Sequence, residues 1–240
     1  MEIKALADDT LYPAVLEMFG TPPAGRILDV PSGHGAFAQE LLKRGYSDIH
    51  CLDINADNFK LPGVQFRQYD AAHPLPYPDG YFDYVFSIEG IEHFDSPFLF
   101  VKELCRVLKP GGKLYLSTPN TFSVDARLKY LVSGYFPRFR PLMQEPHRVM
   151  DQPVDDAHIS PIYFWQLHFF LMRSGIRISH IGANTLLYKR QWAKRWFDKR
   201  IARAIRNNIK KRGFPDHGVT SEAMLFGDCI IIEGAKGDEH

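Results

Sequence analysis

This 240-residue sequence predicts a doubly wound, mostly parallel α/β sheet. Three observations lead there. An apolar strand end, Ile27-Leu28-Asp29-Val30, runs into a glycine turn at Gly33 and Gly35 and then into a helical stretch, residues 36–43 (AFAQELLK). Strand-like and helix-like stretches then alternate for the rest of the first half, as βαβ units require. Acids stand at or just past three strand ends, as Asp29, Asp53 and Asp70, and strand ends are where open α/β sheets bind ligands.

Composition fits one globular domain, with 45% hydrophobic and 24% charged residues. The opening MEIKALADDT has the character of neither a secretory signal nor a transit peptide. No apolar run approaches the roughly 20 residues that span a bilayer. Cys51, Cys105 and Cys229 lie far apart in apolar surroundings, the pattern of reduced thiols in a cytoplasmic protein.

Taken in order, residues 10–19 read as a short amphipathic helix before the first strand. Gly45 suits the end of the helix that leaves the glycine turn. Residues 48–54 are a second strand ending at Asp53, 20 residues beyond Gly33, where an acid can accept both hydroxyls of a ribose. Residues 64–68 are a third strand, followed by Asp70-Ala71, and residues 82–87 a fourth, ending at Ser87. Residues 97–108 form a helix with Pro97 in its first turn, and Lys109-Pro110-Gly111-Gly112 turns into a fifth strand at 113–117. The proline-broken stretch 121–160 reads as irregular and as a lid on the acceptor side. A helix at 161–173, a strand at 175–182, a basic segment at 189–212 and a last strand at 223–232 complete the chain as one domain.

The glycine turn alone is ambiguous, because Gly33-x-Gly35-x-x-Ala38 fits a dinucleotide fingerprint. Two features argue against a nicotinamide dehydrogenase. Four residues separate the strand from the first glycine, and Asp29 would repel a pyrophosphate. An acid there suits a cationic ligand. The stretch resembles motif I of the class I S-adenosylmethionine-dependent methyltransferases, with Pro31-Ser32 where Gly-Cys is commoner. Pro31 removes one backbone donor from that turn. Leu75–Val85 (LPYPDGYFDYV) and Leu108–Leu114 (LKPGGKL) resemble later stretches of the same family, in the same order. The resemblance covers roughly residues 24–120, with weaker echoes at 158–182 and 223–232. It implies a seven-stranded sheet closed by an antiparallel hairpin strand, and S-adenosylmethionine as cofactor. It implies that Asp29, Gly33 and Gly35 hold the methionine end, Asp53 with Ile54 the ribose, and Asp70 with Ala71 the adenine. Ser87 joins these cofactor contacts.

Beyond the fourth strand stands Glu89-Gly90-Ile91-Glu92-His93. In a helical turn, Glu89, Glu92 and His93 share one face. Two carboxylates and an imidazole suit a divalent cation such as Mg²⁺. The string resembles the E-x-x-E-H motif of ubiquinone-pathway O-methyltransferases and of small-RNA 2′-O-methyltransferases. The later histidine of that set falls on His158, with His147 as second choice. A cation there lowers the pKa of an acceptor hydroxyl; without one, His93 or His158 serves as general base.

The net charge of +1 conceals an asymmetry. Residues 189–212 hold eleven Lys or Arg and one acid, Asp198, against eighteen basic and 27 acidic residues elsewhere. As a helix, this segment turns Phe197, Ile201, Ala204 and Ile205 one way and its cations the other. Trp192 and Trp196 fall toward the basic side. A surface helix packed on the domain, an interfacial helix on an anionic membrane, and a nucleic-acid contact all fit that pattern. The expected function is O-methylation of a small molecule, a lipid or a lipid-linked glycan. RNA 2′-O-methylation and cofactor binding without catalysis are the alternatives. A cytoplasmic protein, peripheral to the membrane at most, is expected.

Overall fold

The computed structural model describes residues 3–20, 24–139, 147–149, 152–154, 158–187, 192–213 and 215–237; for 147–149, 152–154 and 192–195 it describes the backbone alone. In chain order the elements are α1 (Leu11–Phe19), β1 (Ile27–Asp29), α2 (Ala36–Lys43), β2 (Ile49–Asp53), β3 (Gln65–Gln68), β4 (Phe82–Ile88), α3 (Pro97–Val107) and β5 (Leu108–Pro119). Then come α4 (Val124–Ser133), β6 (His147–Val149), β7 (Gln152–Val154), α5 (Phe164–Arg173), β8 (Ile176–Ala183), α6 (Trp192–Arg212), α7 (Glu222–Phe226) and β9 (Cys229–Lys236). Seven strands form one sheet in the order β3-β2-β1-β4-β5-β9-β8, and β6 and β7 pair as a separate hairpin. Strands β1 to β5 are parallel; β9 runs antiparallel between β5 and β8.

Alternating side chains feed two cores, as the period of a strand dictates. Ile27, Ile49, Phe86 and Ile231 face α1 and α2. Leu28, Leu52, Val85, Leu116 and Ile232 face α3 and α5. A third, smaller cluster joins Val124 of α4, Ala202 of α6 and Leu225 and Phe226 of α7. The cysteines are buried and unpaired.

The structure departs from the sequence-based expectations at five places. Residues 223–226 are helical, and the closing strand starts at Cys229; Ser221 accepts from the Met224 N–H as a cap, and the chain leaves the helix at Gly227. Residues 124–133 of the presumed irregular stretch form α4, capped by the Ser123 hydroxyl on the Ala126 N–H and stopped at left-handed Gly134. The Lys109–Gly112 turn lies inside β5 as an irregularity: β4 pairs Phe82 with Leu108 but Tyr84 with Lys113. Residues 89–93 are not one helical turn, because Glu89 takes a positive φ of 50° and only Ile91–His93 form a 3₁₀ turn. In α6 the inward face is Asp198, Ile201, Ala202 and Ile205, while Phe197 and Ala204 are exposed. The helix is rotated relative to the expected stripe because the contact that orients it is Ala202 on Val124 and Phe226. Trp192 lies outside the described side chains.

Candidate active site

The carboxyl ends of β1 and β4 converge on a set of buried polar atoms. Asp29 closes β1 at 1% exposure, and its Oδ2 has no hydrogen-bond partner. Ser32 Oγ, in the turn that follows, and Ser87 Oγ, on β4, are likewise buried and unpartnered. Burial, then the charge of Asp53, pushes the Asp29 carboxyl well above the usual carboxylate range. Each such orphan costs on the order of 1–3 kcal/mol unless a ligand meets it. Gly35 holds the turn with φ 84°, and an added Cβ would strike Leu61 and Phe59.

Asp53 ties two strand exits together. Its Oδ2 accepts from the Gly33 N–H at 2.7 Å and its Oδ1 from the Asn55 N–H at 3.0 Å. Burial raises its pKa, with those N–H bonds opposing. The Tyr69 N–H donates to the Asp53 carbonyl at 2.8 Å, which sets the exit of β3 beside that of β2. Asp70 follows, accepting from the Ala72 N–H at 2.9 Å and lying 3.3 Å from His73 Nδ1. Ala71 is buried and Ile54 half-buried. The structure thus gathers Asp29, Gly33, Asp53 and Ser87 at the carboxyl ends of β1, β2 and β4, with Asp70 just past the end of β3. The unpartnered Asp29, Ser32 and Ser87 oxygens are acceptors, as a ligand carrying an ammonium needs.

A second cluster of polar side chains is assembled from distant parts of the chain. The Ile159 and Ser160 N–H groups donate to the Glu92 carbonyl at 3.0 and 2.9 Å, and Ser160 Oγ donates to the Phe94 carbonyl at 2.7 Å. These bonds deliver His158 to His93, with ring centroids 4.8 Å apart. Ligand-type atoms of Glu92, His93 and His158 all lie within 4.8 Å of one another. Glu92 is fully buried, and neither of its carboxyl oxygens has a partner. Burial, helped by the charge of Glu89, raises its pKa to about 8. His158 Nδ1 is also unpartnered, and burial, with His93 and Arg138 beside it, lowers its pKa to about 4. At neutral pH the imidazole is therefore unprotonated, with one ring nitrogen able to accept a proton.

Glu89 stands apart from this cluster. Its Oε2 accepts from Arg138 at 2.9 Å and its Oε1 from the Cys229 thiol at 3.1 Å. Arg138 also reaches Asp228 at 2.7 Å. Both Glu89 and Arg138 have positive φ, 50° and 67°, so two strained residues grip each other across the site. The expected alternative His147 lies outside the described side chains. Arg138 and Asp228 were not singled out in the sequence, and Ser32 only as a departure from the family's motif. Arg138 sits in a proline-broken stretch without a motif, and only the fold brings it to Glu89.

Comparison with known proteins agrees with this fold. Residues 28–116 match the methyltransferase domain family. The chain is 35% identical over 106 residues to 2-methyl-6-phytyl-1,4-hydroquinone methyltransferase of Synechocystis sp., covering 41% of this chain and 33% of that protein. It is 29% identical over 145 residues to ubiquinone biosynthesis O-methyltransferase of Xanthomonas axonopodis pv. citri, covering 57% and 60%. These matches span about a third and three fifths of the relatives' own lengths. A solved S-adenosylmethionine-dependent methyltransferase of Archaeoglobus fulgidus shares the fold with a TM-score of 0.61 at 20% identity, over 94% of this chain and 92% of that one. The chain thus carries a stretch that matches the methyltransferase domain, residues 28–116, set in a seven-stranded sheet of the type that solved S-adenosylmethionine-dependent methyltransferases share.

Proposed function

We propose that the chain methylates a hydroxyl group on a small-molecule or lipid acceptor, with S-adenosylmethionine as donor. The observation that carries this reading is the set of unpartnered acceptor oxygens of Asp29, Ser32 and Ser87 at the ends of β1 and β4. They fit the ammonium end of that cofactor, and Asp53 lies where a ribose would be held. When bound, the cofactor supplies an electrophilic methyl group on a sulfonium. The acidic floor of Asp29 and Asp53 favours a cationic ligand over a neutral one.

The acceptor end needs a group that takes a proton from the hydroxyl. His158, neutral and with a free Nδ1, is suited to it, and His93 beside it would share the charge that develops. Glu92, protonated in the empty site, would orient the hydroxyl. Glu92, His93 and His158 also fit a divalent cation, being two imidazoles and a carboxyl whose ligand-type atoms lie within 4.8 Å of one another. Such an ion would lower the pKa of the acceptor hydroxyl. Glu89, held by Arg138, would not join it. Two of the relatives named above are a 2-methyl-6-phytyl-1,4-hydroquinone methyltransferase and a ubiquinone biosynthesis O-methyltransferase, which supports a quinone-type acceptor.

The test is calorimetric titration with S-adenosylhomocysteine. Wild type should bind, and Asp53→Ala should lose about a hundredfold in affinity, the weight of two hydrogen bonds to a charged group. Absence of binding by the wild type would sink the proposal. Thermal shifts with Mg²⁺ or Mn²⁺ test the cation separately. Stabilisation present in wild type and absent in His158→Ala is the expected result.

A further inference from the structure

Two helices outside the sheet carry exposed apolar side chains that the active site does not use. On α4, Leu131 is 80% and Val132 87% exposed; on α6, Trp196 is 65% and Phe197 52% exposed. Single exposed apolar residues are ordinary. These four lie on helices that pack on each other, for Leu128 of α4 and Ile201 and Ile205 of α6 line the same small cluster. Leu131 and Val132 continue the Val124–Leu128 row one turn on, past the point where α6 covers it.

The charge beside them has one sign. The one acid of α6, Asp198, is buried at 3% exposure. Its exposed face from 196 onward therefore presents Trp196, Lys199, Arg200, Arg203, Lys210 and Lys211 with no acid among them. Arg200 lies 4.7 Å over the Trp196 ring, so cation and indole form one surface unit.

We propose that the outer face of α4 and α6 docks on an anionic lipid bilayer. Lysines and arginines of α6 would meet headgroup phosphates, Trp196 would lie at headgroup depth, and Phe197, Leu131 and Val132 would enter the acyl boundary. A nucleic acid would use the tryptophan and the cations but has no use for two protruding aliphatic side chains on a second helix. Docking there has a geometric consequence. Asp125 and Lys129 of α4 line a cleft of about 210 Å³ whose other wall includes Arg138 and Asp228. Arg138 leads directly to Glu89 at the end of β4. The helix that touches the membrane would thus also flank a path from it to the site, which suits an acceptor drawn from the bilayer.

The test is flotation of the full chain with phosphatidylcholine vesicles, with and without phosphatidylglycerol, while tryptophan emission is followed. It needs no cofactor, so its failure is separable from failure of the methyl-transfer proposal. Binding should be at least about tenfold tighter to the anionic vesicles and should weaken with salt. Trp196→Ala should lose most of the emission blue shift. Leu131→Asp with Val132→Asp, at positions too exposed to disturb the fold, should weaken binding about tenfold or more. Arg200→Glu with Arg203→Glu should abolish the preference for anionic lipid. Equal binding to both vesicle types, or variants that bind as wild type does, would overturn the proposal. So would tighter binding of a single-stranded RNA than of the vesicles, or self-association without lipid that the Leu131 variant removes.

Discussion

The proposed donor and acceptor halves of the site are built in opposite ways. On the donor side, each polar group sits within a few residues of a strand end, and backbone N–H groups fix Asp53 in place. On the acceptor side, Glu92, His158, Arg138 and Asp228 come from four separate stretches and are held by long-range bonds. Both halves bury unsatisfied oxygens, but their preferred partners differ. Asp29 waits for a cation. Glu92 and His158, one held protonated and the other deprotonated at neutral pH, are poised to handle a proton. A local motif can therefore serve one cofactor in many proteins, while a site assembled from distant loops can change its acceptor without disturbing that motif.

If the halves are separable, mutations should divide cleanly between turnover and cofactor affinity. The largest effect is expected for His158→Ala. Turnover should fall by about a hundredfold to ten-thousandfold, with S-adenosylhomocysteine affinity unchanged within about twofold. Loss of both together would show the halves to be coupled. Asp29→Asn comes next, with cofactor affinity falling by about tenfold to a hundredfold in calorimetry, the weight of one charge-assisted bond. Thermal stability should hold or rise, because a strained buried carboxyl is removed.

The smallest effect sharpens the comparison from the stability side. Glu92 has a folded pKa of about 8, above the ordinary value of 4.5. Between those values the folded protein holds a proton that the unfolded chain releases, so stability falls as pH rises through the window. Glu92→Gln should thus raise Tm by about 3–8 °C near pH 8 in the presence of chelator, and hardly at all near pH 4. An equal gain at both pH values would mean that packing, not charge, sets the cost. Loss of turnover alongside that gain is expected, since a site that stores unmet polar groups trades stability for function.

How much of this was legible in the sequence follows the same division. The Gly33–Gly35 turn and the strand-end acids were readable because spacing along the chain sets their geometry. The strands of the sheet were readable as well, though not their order, apart from the irregular start of β5 and the place where the last strand begins. That boundary failed because 223–226 are apolar enough for a strand, and the Ser221 cap that makes them helical is a single side chain. Glu89 looked like a partner of Glu92 and His93, but its positive φ turns it toward Arg138. No periodicity could report that. The face of α6 was misjudged because its inward residues include Asp198, which a hydropathy stripe places outside.

Strand β9 has a further implication. It lies between β5 and β8, and among the described residues β8 has no other strand beside it. At its first residue the Cys229 thiol reaches Glu89. Every residue of the donor half, from Asp29 to Ser87, precedes β5 in the chain, whereas Asp228 and Cys229 come near its end. Yet Ile231 and Ile232 of β9 complete the two cores on which the donor half rests. The last strand to be made therefore finishes both halves at once.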